Sequence, residues 1–409
     1  MTGIIADKNL ATLGKASYDW ARAHMKILNS IIGKHQRSKP LRGLKLAFCL
    51  HITKETSVLV MSAQKLGAEV AICSANPLST QDDIAAFLSS KNILTYAWKG
   101  ESDSEYRECI RKVLQFGPDI VTDDGGDMHS TISQTSSLKI LGGTEETTSG
   151  LARIRILHSS RKLHYPVIAV NDASTKYLFD NRYGTGQSAI DGLLRATGLL
   201  LAGKKVLVCG YGWVGKGIAS RARGMGAIVS ITEVNPLRAL EASMDGYTVS
   251  KLSICAGYAD FVITCTGQRH VIGINDILKM RNGVVLANAG HFDTEIDIQS
   301  LHSKDKSPIQ VRPFVEQFCI QGKLVYLISR GRVLNLVGSE GSPPEVMSLS
   351  FANQLLSIIY IAENYSTMQP GVYCVPKEID NYVAEAALGS MNIEIDKLSK
   401  MQQRYIGLR

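Results

Sequence analysis

Side chains that can transfer protons recur along this chain at points where short apolar runs end. They include His51, Asp124 and, four residues apart, Lys176 and Asp180. A lysine held near carboxylates can act as a base towards an alcohol, and a redox cofactor that oxidises an alcohol needs such a base. These residue types therefore predict proton transfer at an alcohol, if the fold brings them beside a redox cofactor.

Each group also has an ordinary structural interpretation. A single histidine is more often a core or surface residue. Residues 123–127 (Asp-Asp-Gly-Gly-Asp) are typical of a tight turn or of a divalent metal loop, and residues 145–148 (Glu-Glu-Thr-Thr) of a helix start. Lys176 and Asp180 can form a surface ion pair. The functional interpretation gains weight because all of them, with His291, end predicted strands or begin predicted helices, which is the ligand side of an open α/β sheet.

A glycine-rich turn predicts the cofactor site. A strand-like run at 206–209 leads into Gly210, Gly212 and Gly215, and a predicted helix follows. In the dinucleotide fingerprint these glycines allow the tight turn, the approach of the backbone to the pyrophosphate, and the packing of helix on strand. Glu233 ends the next predicted strand, where an acid binds a ribose diol and repels a 2′-phosphate. We therefore predict NAD rather than NADP, with an ordinary strand–turn–helix as the alternative.

The elements that position these residues follow an alternating pattern of strands and helices, which predicts an α/β fold with two doubly wound parallel sheets. Residues 1–40 read as amphipathic helix, and a long apolar helix begins near Glu345. The predicted strands are at 44–50, 69–73, 93–97, 119–123 and 166–170 in the first part, and at 206–209, 227–233, 261–264 and 283–288 in the second.

The composition is that of a globular protein of two or three domains. Of its 409 residues, 45% are hydrophobic and 20% charged, which predicts a sizeable core. The basic residues behind the net charge of +8 are scattered, so nucleic acid is not an expected partner. Eight cysteines without C-x-x-C spacing predict buried, reduced thiols in a cytoplasmic protein. We expect no signal peptide, no membrane-spanning helix and no metal.

Taken together, the motifs resemble those of the S-adenosyl-L-homocysteine hydrolase (adenosylhomocysteinase) family over nearly the whole chain. The matching segments are His51-Ile-Thr-Lys-Glu-Thr, Asn76-Pro-Leu-Ser-Thr-Gln-Asp, Asp123-Asp-Gly-Gly-Asp, Glu145-Glu-Thr-Thr, Asn171-Asp with Thr175-Lys-Tyr-Leu-Phe-Asp-Asn-Arg-Tyr-Gly184, the Gly210 turn, Ile231-Thr-Glu-Val-Asn-Pro, Asn288-Ala-Gly-His-Phe-Asp293, Gly331-Arg-Val-Leu-Asn335-Leu and Ser348-Leu-Ser-Phe-Ala-Asn-Gln. Trp213 and the run from Tyr183 to Ser188 are similar to the short form common in archaea and some bacteria.

The resemblance implies two Rossmann-like domains and a short helical C-terminal segment. It places a substrate-binding domain at 1–182, an NAD-binding domain at 183–342, helices that return to the substrate domain at 343–392, and an oligomerisation tail at 393–409. It implies reversible hydrolysis of S-adenosyl-L-homocysteine to adenosine and L-homocysteine. Tightly bound NAD oxidises the 3′ carbon, the 4′ proton is removed, the 5′ thiolate leaves, water adds, and the hydride returns.

The same resemblance assigns residues to the site. The implied catalytic residues are His51, Asp124, Glu146, Lys176, Asp180 and His291, with Lys176 as the base at the 3′ hydroxyl, Glu146 on the ribose hydroxyls, and Asp124 and His51 at the 4′ and 5′ carbons. The implied substrate contacts are Thr53, Glu55, Gln81, Ser342 and Met347. The implied NAD contacts are Thr147, Thr148, Ser149, Asn181, Gly210, Gly212, Trp213, Val214, Gly215, Glu233, Thr266, Asn288, Gly290, His291 and Asn335.

One departure keeps alternatives open. The family usually has Gly-His-Pro where this chain has Gly341-Ser342-Pro343. The same chemistry could therefore act on S-inosylhomocysteine or dehydrate a nucleoside at its 5′ position, or the protein could be a regulatory paralogue that binds NAD without turnover. A dehydrogenase with diffusible NAD is a further alternative. Many members complete the NAD site with a tail lysine and tyrosine from a neighbouring subunit. That contact cannot be transferred here, although a homotetramer is still expected.

Overall fold

Two eight-stranded sheets organise residues 3–135 and 138–407, which this computed structural model describes. In chain order the strands are β1 (Ile4–Ile5), β2 (Lys45–Cys49), β3 (Glu69–Cys73), β4 (Leu94–Ala97), β5 (Ile120–Asp123), β6 (Gly142–Glu145), β7 (Pro166–Ala169), β8 (Lys205–Cys209), β9 (Ile228–Thr232), β10 (Thr248–Val249), β11 (Phe261–Thr264), β12 (Val284–Asn288), β13 (Ile309–Arg312), β14 (Val315–Ile320), β15 (Lys323–Ile328) and β16 (Gly371–Cys374).

The helices cover both faces of the two sheets. In chain order they are α1 (Ala11–His24), α2 (Lys26–His35), α3 (Lys54–Lys65), α4 (Asp82–Ser90), α5 (Asp103–Gln115), α6 (Asp127–Ile132), α7 (Thr148–Ser159), α8 (Ser174–Lys176), α9 (Thr185–Thr197), α10 (Trp213–Gly224), α11 (Pro236–Met244), α12 (Leu252–Cys255), α13 (Ile274–Ile277), α14 (Ile298–Lys304), α15 (Leu334–Val337), α16 (Pro344–Asn364), α17 (Lys377–Ser390) and α18 (Lys400–Tyr405). Short 3-10 helices occur at Lys8–Leu10, Val170–Asp172, Ser329–Gly331 and Tyr365–Thr367.

The first sheet is parallel throughout, in the order β1-β4-β3-β2-β5-β6-β7-β16. It is buried on both faces, because Leu46 and Phe48 of β2 point into one core while Ala47 and Cys49 point into another. The strand order runs outward in both directions from the pair β2 and β5. A crevice therefore opens beyond the carboxyl ends of these two strands, where open α/β sheets bind ligands.

The second sheet has the order β10-β9-β8-β11-β12-β15-β14-β13 and repeats this plan. Its strand order reverses between β8 and β11, so the glycine turn after β8 lies at a second crevice. The predicted α/β class is confirmed, and the structure adds antiparallel strands at one edge that the sequence analysis did not predict. β14 runs antiparallel to both β15 and β13. The buried residues of β14 are separated by more exposed ones, as in a strand with one face in water. Our strand prediction searched for continuous apolar runs, which are typical of buried parallel strands, and therefore missed β14.

After the last strand of the second sheet, the chain returns to the first sheet. Helix α16 packs against α2 and α3, and β16 then pairs with β7 in parallel. The stretch Pro344–Thr367 is long and apolar enough to cross a membrane by length and composition alone, which our sequence analysis did not expect of any stretch. The reason is that α16 is a core helix: 72% of an 18-residue apolar window within this stretch is buried inside the protein, and such a helix is apolar on nearly every side.

Two further expectations need correction. The helix predicted from Lys176 to Arg195 is interrupted by a π-helical stretch, Tyr177–Gly184, between α8 and α9. Its wider turn ends with the Thr185 N–H donating to the Asp180 carbonyl, five residues back. Cys319 and Cys374 are exposed rather than buried, because they lie on β14 and β16, at or next to sheet edges.

Candidate active site

A cavity of about 650 Å³ lies where the carboxyl ends of the two sheets face each other. The first sheet contributes side chains from the segments that follow β2, β5 and β6, and the second contributes the turns after β8, β11 and β12. Of the predicted site residues, those that line it are His51, Thr53, Glu55, Asp124, Glu146, Thr147, Thr148, Ser149, Lys176, Asp180, Asn181, Gly212, Trp213, Val214, Thr266, Gly290, His291, Asn335, Ser342 and Met347.

Lys176 is the centre of a buried charge cluster. Its Nζ lies 3.0 Å from Asp180 Oδ2 and 3.4 Å from Glu146 Oε1, and it donates a 2.8 Å hydrogen bond to Asn181 Oδ1. The π-helical stretch makes this possible, since it brings residues four and five positions after Lys176 to one side. Burial alone would lower the pKa of Lys176, but the carboxylates of Asp180 and Glu146 outweigh it and raise the pKa above its ordinary value.

Glu146 is set in place by the helix that returns to the first domain. Gln354 Nε2 on α16 donates to Glu146 Oε2 at 2.6 Å, while Glu146 Oε1 has no hydrogen-bond partner among the described residues. Burial raises the pKa of Glu146 to about 7, although Lys176 opposes the shift. The side chain can therefore gain or lose a proton near neutral pH.

Asp124 lies between two imidazoles, one from each domain. Its Oδ2 is 3.5 Å from His51 Nε2, and its Oδ1 is 3.5 Å from His291 Nδ1. His51 Nδ1 contacts Ser79 Oγ at 2.7 Å, which leaves Nε2 to face the carboxylate. Burial lowers the pKa of His51 to about 4, so this imidazole is neutral at physiological pH. The ligand atoms of these three residues lie within 4.8 Å of one another, a spacing that a metal ion could use, and the absence of a metal stays a prediction.

The close approach of His291 depends on the glycine after Asp124. Gly125 has a φ of +100°, and a Cβ built on it would lie 2.3 Å from His291 Nε2. A Cβ at this position would therefore require the His291 ring to move.

An amide relay joins the lysine cluster to the predicted cofactor contacts. Asn181 Nδ2 donates to Asn171 Oδ1 at 3.1 Å, and Asn171 Nδ2 donates to Thr148 Oγ1 at 3.0 Å. Asn181 therefore has a fixed orientation when its own oxygen accepts from Lys176.

The glycine turn has the geometry that the sequence predicts for a dinucleotide site. Gly210 has a φ of +104°, and a Cβ on Gly215 would lie 2.0 Å from the Gly210 carbonyl oxygen. These two glycines shape the turn, while Gly212, Trp213 and Val214 line the cavity. The turn leads directly into α10, whose first N–H groups suit a phosphate.

Three other predicted contacts, at Glu233, Asn288 and Gln81, lie behind the cavity wall. Glu233 accepts hydrogen bonds from the backbone N–H groups of Tyr211, Val234 and Asn235, which hold its pKa below the ordinary value against the effect of burial. Asn288 Nδ2 donates to three carbonyl oxygens, one of them that of Gly331, and so fixes the loop before His291. Gln81 accepts from the Lys54 N–H at 2.9 Å.

Several cavity and supporting residues were not predicted. Arg238 and Tyr177 line the cavity, Ser79 contacts His51, and Gln354 and Ser350 bond Glu146 and Asp180. Polar residues four apart, Ser350 and Gln354, in an otherwise apolar helix are a signal that could have identified this pair. Ser79 and Arg238 had no such signal.

The site fits NAD on its own geometry. The glycine turn leaves room for a pyrophosphate at Gly212, where a Cβ would meet nothing closer than Arg238 Nη1 at 3.8 Å. Buried polar atoms of Asp124 (Oδ1), Glu146 (Oε1) and Asn335 (Oδ1) face this cavity without a hydrogen-bond partner in the described chain, so they remain available to a bound molecule. The fold and the site together define an NAD-binding enzyme with a buried lysine–carboxylate centre.

Comparison with known proteins identifies the family. Residues 181–341 match the model of the S-adenosyl-L-homocysteine hydrolase NAD binding domain, and residues 3–139 match that of S-adenosyl-L-homocysteine hydrolase. The chain belongs to the S-adenosyl-L-homocysteine hydrolase family, and its predicted cofactor, NAD, agrees with the matched domain.

Relatives with two different names match along almost the whole chain. The chain is 49% identical over 404 residues to the adenosylhomocysteinase of Sulfurisphaera tokodaii, which covers 98% of this chain and 97% of that one. It is 47% identical to the adenosylhomocysteinase of Saccharolobus solfataricus, with coverage of 98% and 97%. It is also 48% identical to the S-inosyl-L-homocysteine hydrolase of Methanocaldococcus jannaschii, with 98% of both chains covered.

Proposed function

We propose that this protein catalyses the reversible, NAD-dependent hydrolysis of S-adenosyl-L-homocysteine to adenosine and L-homocysteine. The observation that carries the proposal is the position of Lys176. Its ammonium lies between Glu146 and Asp180 in the same cavity as Gly212 and Trp213 of the glycine turn. A base held beside a redox-cofactor site suits the oxidation of a sugar hydroxyl.

NAD, when bound, supplies a hydride acceptor for the 3′ carbon of the ribose and returns the hydride at the end of the cycle. Lys176 takes the proton of the 3′ hydroxyl. It must first release its own proton, and the carboxylate of Glu146, 3.4 Å from Lys176 Nζ, is placed to accept it. Gln354 keeps the second oxygen of Glu146 occupied, so the first is left for the ribose or for Lys176.

His51 and Asp124 act at the 4′ and 5′ carbons. A ketone at the 3′ carbon acidifies the 4′ C–H, and loss of that proton lets the thiolate leave the 5′ carbon. Asp124, at 3.5 Å from each imidazole, can receive the 4′ proton. His51 is neutral and can pass a proton between water and the leaving sulfur.

A second cavity suits the amino-acid end of the substrate. It has a volume of about 480 Å³ and adjoins the first at His291. Its lining combines both signs of charge: Arg332 lies 3.6 Å from Asp103 and 3.7 Å from Asp293, and Arg107 also lines it. A homocysteine carboxylate would bind the arginines and its ammonium the aspartates, because a zwitterion needs both.

S-Inosylhomocysteine is the second candidate substrate. The relative of that name from Methanocaldococcus jannaschii is as similar in sequence as those named adenosylhomocysteinase. Ser342, at the cavity wall, also departs from the histidine that the family resemblance implies.

We also propose a cytoplasmic homotetramer. Support comes from apolar side chains exposed on the C-terminal segment and on α11, which a second copy would cover: Ile395 (66%), Met401 (79%), Leu237 (76%) and Met244 (79%). Free thiols at the paired strand positions Cys49 and Cys73 suit a reducing compartment. Light scattering of the purified protein would measure the oligomeric state directly.

The proposed activity is tested on purified protein with no added NAD. Adenosine and L-homocysteine should yield S-adenosyl-L-homocysteine by mass spectrometry, with transient absorbance of reduced nicotinamide that stays with the protein on gel filtration. Bound NAD without any product would instead indicate a regulatory paralogue. Turnover that requires excess free NAD would indicate a dehydrogenase.

A further inference from the structure

Lys54 occupies a position that the mechanism above does not use. It is the first residue of α3, directly before Glu55, and its side chain is only 13% exposed. Its Nζ lies 3.3 Å from Glu55 Oε1 and 2.9 Å from Glu340 Oε2. Because Glu340 precedes Gly341 and Ser342, which line the cavity, this lysine joins the first domain to a loop of the cavity wall.

Glu55 is a buried acceptor at the end of the cavity that Thr53 and Met347 also line. It is 1% exposed, and neither carboxyl oxygen has a hydrogen-bond partner among the described residues. Burial raises the pKa of Glu55, and the charge of Lys54 opposes that shift. Within the described part of the chain, Lys54 is the one cation at ion-pair distance from Glu55.

The charge of Glu55 decides which purine it can pair with. An ionised carboxylate only accepts hydrogen bonds, whereas a protonated carboxyl also donates one. Ionised Glu55 therefore accepts from the amino group of a 6-amino purine and repels the oxygen of a 6-oxo purine. A protonated Glu55 can pair with either.

We propose that Lys54 is a specificity-determining residue: it keeps Glu55 ionised and thereby makes the site select a 6-amino over a 6-oxo purine. This inference rests on the proposed function in taking a purine nucleoside as the ligand. Glu340 has a separate role, because it ties Lys54 to the opposite domain and holds the Ser342 loop at the cavity wall.

The test compares S-adenosylhomocysteine with S-inosylhomocysteine in the NAD-loaded protein. We expect the natural chain to prefer the adenosyl substrate in kcat/KM by on the order of 100-fold, since a site built for one hydrogen-bonding pattern rejects its opposite. Lys54→Met should reduce this preference roughly tenfold or more. Lys54→Arg keeps the charge and should keep the preference.

Variants at Glu340 and Arg195 distinguish purine selectivity from the positioning of the Ser342 loop. Glu340→Gln leaves Lys54 beside Glu55, so it should raise KM for both substrates and leave their ratio unchanged. Arg195→Gln is the matched control, because Arg195 contacts the other oxygen of Glu340 at 3.7 Å on the exposed side. It should change neither KM nor the ratio.

Binding provides the second measurement. Calorimetric titration of adenosine and inosine into the NAD-loaded protein should show the same loss of preference in Lys54→Met. A natural chain that favours the inosyl ligand, or a Lys54→Met variant that keeps the original preference, would overturn the inference. If neither substrate is turned over, the proposed function fails, and the binding ratio still decides the role of Lys54.

Discussion

The two sheets meet in one cavity but contribute different chemistry. At the carboxyl edge of the first sheet, titratable side chains follow the strands: His51 after β2, Asp124 after β5 and Glu146 after β6. At the edge of the second sheet, the turn after β8 presents backbone through Gly210 and Gly212. The same topology thus supports proton transfer on one side and, we propose, phosphate binding on the other.

The physical basis of this difference is the cost of burial. Titratable groups buried beside the first sheet need hydrogen-bond partners from elsewhere in the fold, such as Gln354 for Glu146 and Ser79 for His51. The glycine turn needs no charge, since free backbone N–H groups at a helix start attract an anion. Changes to the first edge should therefore alter catalysis, and changes to the second should alter cofactor retention.

Replacing Lys176 by Met should give the largest effect. Loss of the base should lower kcat by roughly 10²- to 10⁴-fold, the usual contribution of general base catalysis. Bound NAD, measured by chromatography of the denatured protein, should remain near that of the natural chain. Loss of NAD together with activity would contradict a purely catalytic role for this edge.

Gly215→Ala should affect the other edge. The new Cβ would lie 2.0 Å from the Gly210 carbonyl oxygen, so the turn must distort. We expect NAD content after gel filtration to fall about tenfold, because losing one or two hydrogen bonds to the cofactor costs roughly 1–3 kcal/mol. Gly224→Ala, on the same helix, is the control, since its Cβ would meet nothing within 4 Å. Equal NAD retention in both variants would refute the assignment of the glycine turn as the NAD-binding site.

A third prediction concerns the pH dependence of stability, which neither activity nor cofactor content measures. The pKa of Glu146 is raised from 4.5 to about 7 in the folded protein. The folded state therefore binds a proton at Glu146 more tightly than the unfolded state does. The resulting stabilisation of the folded state is fully present below pH 4.5 and is lost as the pH rises through about 7. Glu146→Gln should remove up to roughly 3 kcal/mol of this pH-dependent loss.

Thermal unfolding of the cofactor-free protein from about pH 5 to about pH 8 measures this effect, because that range brackets the titration of Glu146. The Tm of the natural chain should fall across that range more steeply than the Tm of Glu146→Gln. Glu385→Gln, at an exposed position of α17, serves as the control and should follow the natural chain. Parallel curves for all three proteins would show that Glu146 does not titrate there.

Much of the fold and the candidate site could be predicted locally. Apolar runs identified five of the eight strands of the first sheet, and the spacing of Gly210, Gly212 and Gly215 identified the turn, because both depend on neighbouring residues. The π-helical stretch after Lys176 could not be predicted, since its residues also suit an ordinary helix. Gln354 was missed because its partner, Glu146, is 208 positions away in the chain.

The sequence by itself determined the α/β class, the glycine turn and the membership of a family, because periodicity, turn residues and motif order are properties of the chain. Only the tertiary structure decided that Asp124 stands between His51 and His291, that Gln81 and Asn288 lie behind the cavity wall, and that Lys54 reaches both Glu55 and Glu340. The reason is that burial and charge interactions depend on distances between atoms that lie far apart in the sequence.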